Sequence, residues 1–239
     1  MKMNSLRARL ETALPCVVLF LVVVCAGSVQ AKPQVLKVLD QRSQEDFKNN
    51  VEPLFANELV GCKTCQWESL TKYDDKGQAL TPYLKDPTSL GAPAEFSAAT
   101  GILLINTNIH MRAELKAWTD WLTEVAKGGT VIVFAAGQPE AGTDSAPLTV
   151  TVAGKIPGAL IIGELGERDR LWGASFYGPE MFTAVRPSKE RIGLGLGPVQ
   201  FAARMLKVWT KKPDWNAALA AKKATSHKIW LDLWDCFGL

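Results

Sequence analysis

The sequence is poor in histidine, with 2 in 239 residues, His110 and His227. A closed zinc site wants four nitrogen or sulfur ligands. Neither histidine stands at ligand spacing from the Cys62-Lys63-Thr64-Cys65 pair, so no metal site is expected. Charge of one sign is scarce too. The formal net charge is +3, and much of that excess comes from Lys2, Arg7 and Arg9 near the start. Such a balance leaves no electrostatic footprint for nucleic acid. There is no internal repeat, no low-complexity tract and no linker that splits the chain after residue 31. What is present is the composition of a globular protein, 47% hydrophobic and 21% charged. The length suffices for one substantial domain with its own core.

The first residues have the pattern of an export signal. Lys2, Arg7 and Arg9 form a basic region, and Ala13 to Ala26 an apolar run. Ser28-Val29-Gln30-Ala31 offers a small-residue cleavage site. The apolar run is short beside the roughly 20 residues a membrane span needs. An uncleaved anchor is the alternative. The expectation is a signal over residues 1–31 and a single domain over 32–239, placed in the periplasm or outside the cell and free of the membrane once the signal is removed.

Three cysteines then remain: Cys62, Cys65 and Cys236. Thiols outside the cytoplasm tend to pair, but three cannot pair completely. The expectation is a structural disulfide involving the Cys62/Cys65 pair, rather than redox or metal chemistry. A link from that pair to Cys236 would tie the two ends of the domain together.

Hydrophobic patterning predicts an α/β fold. Val35 to Asp40 reads as a short apolar strand ending in an acid. Residues 44–60 read as a helix with Phe47, Val51, Leu54 and Phe55 on one face. Gly101 to Asn106, Thr130 to Gly137 and Ala159 to Gly163 read as buried strands. Between the first two, Met111, Leu115, Trp118, Leu122 and Val125 follow helical spacing. Strands without polar alternation, separated by helices, argue a parallel sheet covered on both faces. Pro198 to Lys211 reads as a helix begun by proline, with Arg204 and Lys207 expected on a solvated side. Further helices are expected through Ala217 to Lys223 and about Lys228 to Cys236. Residues 61–98 show no clear periodicity.

In order along the chain, these segments resemble the subtilisin-like serine proteases. Ile105-Asn106-Thr107-Asn108 stands where that family has Asn-Met-Ser-Leu-Gly at a strand end. Val131 to Gly137 resembles its Val-Val-Ala-Ala-Gly-Asn strand, and Pro157 to Gly163 its Pro-x-Val-Ile-x-Val-Gly. Gly173 to Glu180 is similar to its Ala-Ser-Phe-Ser-x-x-Gly-Pro-Glu, and Ala184 to Pro187 to its Ala-Pro-Gly turn. Pro198 to Trp215 resembles the helix that carries the nucleophile. Asp40 resembles the first catalytic residue, although Gln41-Arg42 replace the usual Thr/Ser-Gly. The resemblance implies a mainly parallel sheet flanked by helices, in a truncated form of that fold.

Carried over residue by residue, the chemistry is missing. The nucleophile position falls at Leu194 when anchored on Pro198 and at Gly195 when anchored on Trp215, and neither side chain can attack a carbonyl. The base should lie between Asp40 and Ile105, where there is no histidine. His110 aligns with a substrate-binding glycine. Gln138 stands at the oxyanion position, one methylene longer than the family's asparagine. A triad without nucleophile or base loses roughly 10⁶-fold in rate.

The function expected is therefore that of an exported, non-catalytic relative, binding a peptide or protein through the remnant cleft near Thr107, Asn108 and Gln138, or serving a structural role. The alternative is a serine endopeptidase. No cofactor is implied. The Gly193-Leu194-Gly195-Leu196-Gly197 run lacks the Lys-Ser/Thr of a phosphate loop and reads as a turn, as does Tyr73-Asp74-Asp75-Lys76-Gly77 despite its calcium-capable oxygens.

Overall fold

The computed structural model describes residues 35–80, 86–97, 100–107, 115–137, 147–166, 170–171, 175–187, 195–212 and 222–223. The chain divides between Ala31 and Lys32, and every described residue belongs to the second part. The expected helices through 217–223 and 228–236 fall largely or wholly outside the described residues, as does Met111.

Six parallel strands form one sheet: β1 (Val35–Asp40), β2 (Gln66–Ser69), β3 (Thr100–Asn106), β4 (Val131–Ala135), β5 (Leu160–Glu164) and β6 (Met181–Val185), in the order β2-β1-β3-β4-β5-β6. The helices are α1 (44–58), α2 (Pro93–Ser97), α3 (Leu115–Lys127) and α4 (Gly197–Lys211). The α/β architecture expected from the patterning is the one observed.

Alternate residues of the central strands enter two separate cores. Ile102 and Leu104 of β3 join Leu36 and Val38 of β1 against α1 and α4. Leu103 and Ile105 join Trp118, Leu122 and Val125 of α3 on the other face. Both faces are dry, so the strands read as unbroken apolar runs. Each fully buried leucine or isoleucine contributes about 1.5–3 kcal/mol of transfer free energy.

Helix α1 changes its winding in the middle. It is α over Gln44–Asp46, π over Phe47–Val51 and α again over Glu52–Glu58. Ser43 caps its start, with its Oγ accepting from the Asp46 N–H at 3.2 Å. Pro53 lies in the first turn of the final α segment. It has no N–H to donate to the carbonyl four residues back, and its ring crowds that carbonyl. The wider π turn just before it accommodates both facts.

Two strands escape the sequence patterning. β2 is a short edge strand with only Trp67 half-buried, so it carries no apolar run. β6 lies partly in the stretch that resembles a turn. Within the segment expected to be irregular there are also a Tyr73–Ala79 bridge, a 3₁₀ turn over Pro87–Leu90, and α2. Trp121 of α3 ties this segment down by donating from Nε1 to the Gly91 carbonyl at 3.0 Å.

The solvated side expected on α4 is only partly solvated. Arg204 Nε and Nη2 each donate to the Glu58 carboxylate at 3.0 Å, and Lys207 Nζ donates to the Glu58 carbonyl at 2.9 Å. Gln200 Nε2 joins them at 2.6 Å. The end of α1 covers this face, and a long cationic side chain reaches it while its stem packs on the helix.

The disulfide is Cys62–Cys65, with Cα atoms 5.5 Å apart, inside the range the bond requires. A link from this pair to Cys236 is therefore ruled out. Cys236 itself lies outside the described residues. Closing so short a loop removes only about 2 kcal/mol of unfolded-state entropy, so the bond is a local clasp rather than a tie between chain ends.

Candidate functional site

Strand β1 has β2 on one side and β3 on the other, so the order of strands reverses there. In open parallel sheets ligands bind outside the carboxyl ends of the strands at such a switch point. Asp40 is the last residue of β1, and its register partner Asn106 is the last of β3. Both sequence and topology therefore direct attention to the same place.

Asp40 is 0% exposed. A buried carboxylate must be paired or hydrogen-bonded, and this one is both. Its Oδ1 accepts from the Arg42 backbone N–H at 2.9 Å, and its Oδ2 accepts from Asn106 Nδ2 at 2.7 Å. Oδ2 also forms an ion pair with Arg42 Nη1. The Asp40 N–H donates to Thr71 Oγ1 at 2.9 Å. Arg42 Nε lies 3.5 Å from Asp46 in the first turn of α1. Burial raises the phenol pKa of nearby Tyr73 above its ordinary value, and the charge of Asp40 pushes it the same way.

Gly195, two residues before the start of α4, has φ +64°, in the left-handed region where a Cβ is strained. A Cβ placed there would stand 3.4 Å from Arg42 Nη2. One face of the Arg42 guanidinium thus meets Asp40 and another meets position 195. In a Ser-His-Asp triad the base lies between the acid and the nucleophile. Here an arginine holds that intermediate place. A guanidinium carries donors only and stays protonated at any working pH, so it takes no proton from a hydroxyl.

The start of α4 carries a buried acid. Glu164 is buried at the end of β5, and its Oε2 accepts from the Gly197 N–H at 3.2 Å. The positive end of a helix favours that carboxylate.

Thr107 is 5% exposed, and its Oγ1 donates to Gln41 Oε1 at 3.3 Å. Asn108, Gln138 and Leu194 lie outside the described residues, as does His110. The structure thus brings Asp40 and Gly195 to opposite sides of Arg42. Sequence reasoning missed Arg42, Asn106, Thr71 and Glu164 as members of the site. The signal for Arg42 was the substitution directly after Asp40.

Elsewhere, Asp74 Oδ1 accepts from the N–H groups of Lys76 and Gln78 at 2.9 and 2.8 Å, holding its own turn together. Among the described residues no group of three or more His, Cys, Asp or Glu side chains could hold a metal ion. No helix among them is long and apolar enough to cross a membrane. A half-open pocket of about 350 Å³, lined by Ala126, Val131, Pro157 and Leu160 among others, lies at the starts of β4 and β5 and holds no titratable group.

Solved protease structures share this arrangement of strands and helices. The chain is similar to a cold-adapted subtilisin-like serine proteinase, with 12% identity, a TM-score of 0.55, and coverage of 80% of this chain and 81% of that one. It is also similar to a protease from Pseudoalteromonas arctica, with 11% identity, a TM-score of 0.53, and coverage of 80% and 82%. The fold is subtilisin-like. No family model matches the sequence, and no curated protein matches it. Within this subtilisin-like fold, the chemistry must be argued from the chain's own residues.

Proposed function

We propose that the chain is an exported, non-catalytic protein of subtilisin-like fold that binds an extended peptide or protein segment along its remnant cleft. The observation that carries this reading is the Arg42 guanidinium, paired with Asp40 on one side and in contact with the Gly195 position on the other. It stands where a triad needs a proton acceptor. Strand ends beside such a cleft recognise an extended peptide through backbone N–H and C=O groups, as in addition of a strand to a sheet edge. That recognition needs neither nucleophile nor base, so it survives their loss. Export rests on the basic, apolar and small-residue regions of the first 31 residues.

Four measurements test the proposal. The protein is incubated with a fluorophosphonate probe and a peptide library, and neither labelling nor cleavage is expected. Serine-directed labelling together with cleavage that survives repurification establishes the endopeptidase instead. Gly195→Ser is expected to give no turnover, because the nearest group is a donor and the backbone there is left-handed. Peptide-array binding should be detectable in the parent and weakened in Asn108→Trp. A parent that binds nothing across the array removes the cleft function. Mass spectrometry of the protein from its native host should find an N-terminus near Lys32, and an intact one refutes export with cleavage.

A further inference from the structure

The Cys62–Cys65 bond sits where two elements meet. The Cys62 N–H donates to the Leu59 carbonyl at 2.9 Å, continuing the end of α1, and Cys65 directly precedes β2. Cys65 packs against the apolar core together with Leu59 and Trp67, whereas Cys62 does not. Gly61, Lys63 and Thr64 around the pair are exposed.

β2 is a short edge strand. It is four residues long, three of them exposed, and among the described residues it pairs only with β1. Its side-chain contacts include the Lys37–Glu68 pair at 3.0 Å, Trp67 stacked 4.7 Å from Phe55 and tilted 6.1 Å from Phe47, and Ser69 Oγ accepting from the Thr71 N–H at 3.2 Å. The chain then runs through Leu70, whose N–H donates to the Val38 carbonyl at 2.7 Å, to Thr71 beside Asp40. The clasp fixes the entry to this stretch.

We propose that the Cys62–Cys65 disulfide is a site of thiol–disulfide exchange with a dithiol reductant, and that opening it releases β2 from the sheet without unfolding the domain. A thiolate of the dithiol attacks Cys62 Sγ, which stands outside the core. The Cys62–Cys65 bond breaks, and Cys65 leaves as a thiolate that takes up a proton. The second thiol of the reagent, as its thiolate, then attacks its own sulfur in the mixed disulfide. Cys62 leaves and is protonated, and the reagent ends as a cyclic disulfide. The protein gains two electrons and two protons, and the dithiol loses them. The cysteine pair follows closely on the end of α1. The inference does not rest on peptide binding in the cleft.

The full chain is titrated with dithiothreitol. Alkylation of Cys62 and Cys65 is read peptide by peptide, alongside hydrogen exchange. Both cysteines should become alkylated while the amides of β3 and β4 stay protected. Exchange over 66–71 should rise about twentyfold, the factor that the loop-closure entropy of so short a ring implies. A Cys62→Ser/Cys65→Ser variant should show the same raised exchange and no further response to reductant. Alkylation only at reductant levels that expose β3, or unchanged protection over 66–71 after reduction of the wild-type chain, overturns the proposal.

Discussion

Among the described residues, two clusters of buried or half-buried charge are built in opposite ways. Asp40 and Arg42 are two residues apart, with side chains 0% and 11% exposed. Glu58 and Arg204 are 146 residues apart, with side chains 20% and 30% exposed. The first pair is local in sequence and holds no distant elements together, yet its acid is sealed from water and its cation nearly so. The second joins α1 to α4 and stays wet. A sealed pair is an obligation, because either partner left alone is an uncompensated buried charge. A wet pair is a tether whose partners water can serve if it breaks.

The largest effect should follow from Arg42→Ala. Leaving Asp40 without its cation is expected to cost about 3–5 kcal/mol in urea unfolding. Replacing both partners, Asp40→Leu with Arg42→Met, should cost markedly less than the sum of the single changes. A loss below about 1 kcal/mol in Arg42→Ala would erase the distinction between the two clusters. Next, Thr71→Val removes the acceptor of the Asp40 N–H. The orphaned buried donor should cost about 1–3 kcal/mol. Arg204→Ala comes lower, at about 1 kcal/mol or less, because Gln200 still serves Glu58. A value equal to that of Arg42→Ala would show that distance in sequence matters more than burial.

The smallest effect separates the clusters by pH. Tyr73, beside Asp40, has its pKa raised above 10.0, first by burial and then by the Asp40 charge. A group whose folded pKa is raised contributes stability below its unfolded pKa, and that stability is lost as pH rises through the folded value. Wild type should therefore lose stability from about pH 10 upward. Tyr73→Phe should lack that part of the loss, whereas Arg204→Ala should retain it. Unfolding curves at a series of alkaline pH values, compared across the three proteins, read this directly.

Legibility in the sequence followed burial. β3, β4 and β5 are buried along most of their length and announced themselves as apolar runs, and β1 did so despite the half-buried Lys37. The buried stripe Val199, Ala202, Met205, Leu206 and Trp209 of α4 was readable from its spacing, and all five residues are buried. Exposed elements were silent: Gln66-Trp67-Glu68-Ser69 has one apolar residue and gives no period. Arg204 and Lys207 misled because charge was equated with water, when their partner lay in a helix far away in sequence. At the site, Asp40 and Gly195 were found by resemblance. Arg42 was noted only as a departure from a pattern, because nothing in one sequence says where a long side chain will point.

The π turn in α1 gives this last point a history. A π turn is what remains when one residue is inserted into an α-helix without breaking it. Each residue of an α-helix turns the chain by about 100°. Deleting a single residue from Phe47–Val51 and restoring plain α winding would hold Leu54, Phe55 and Glu58 in place. The five residues of π winding turn the chain about as far as four residues at that angle, so everything upstream, Ser43 and Arg42 included, would keep nearly its direction. The π turn thus absorbs an extra residue of chain while the guanidinium stays aimed between Asp40 and Gly195. One codon gained or dropped in this helix changes its width beside Pro53 without touching any residue of the site.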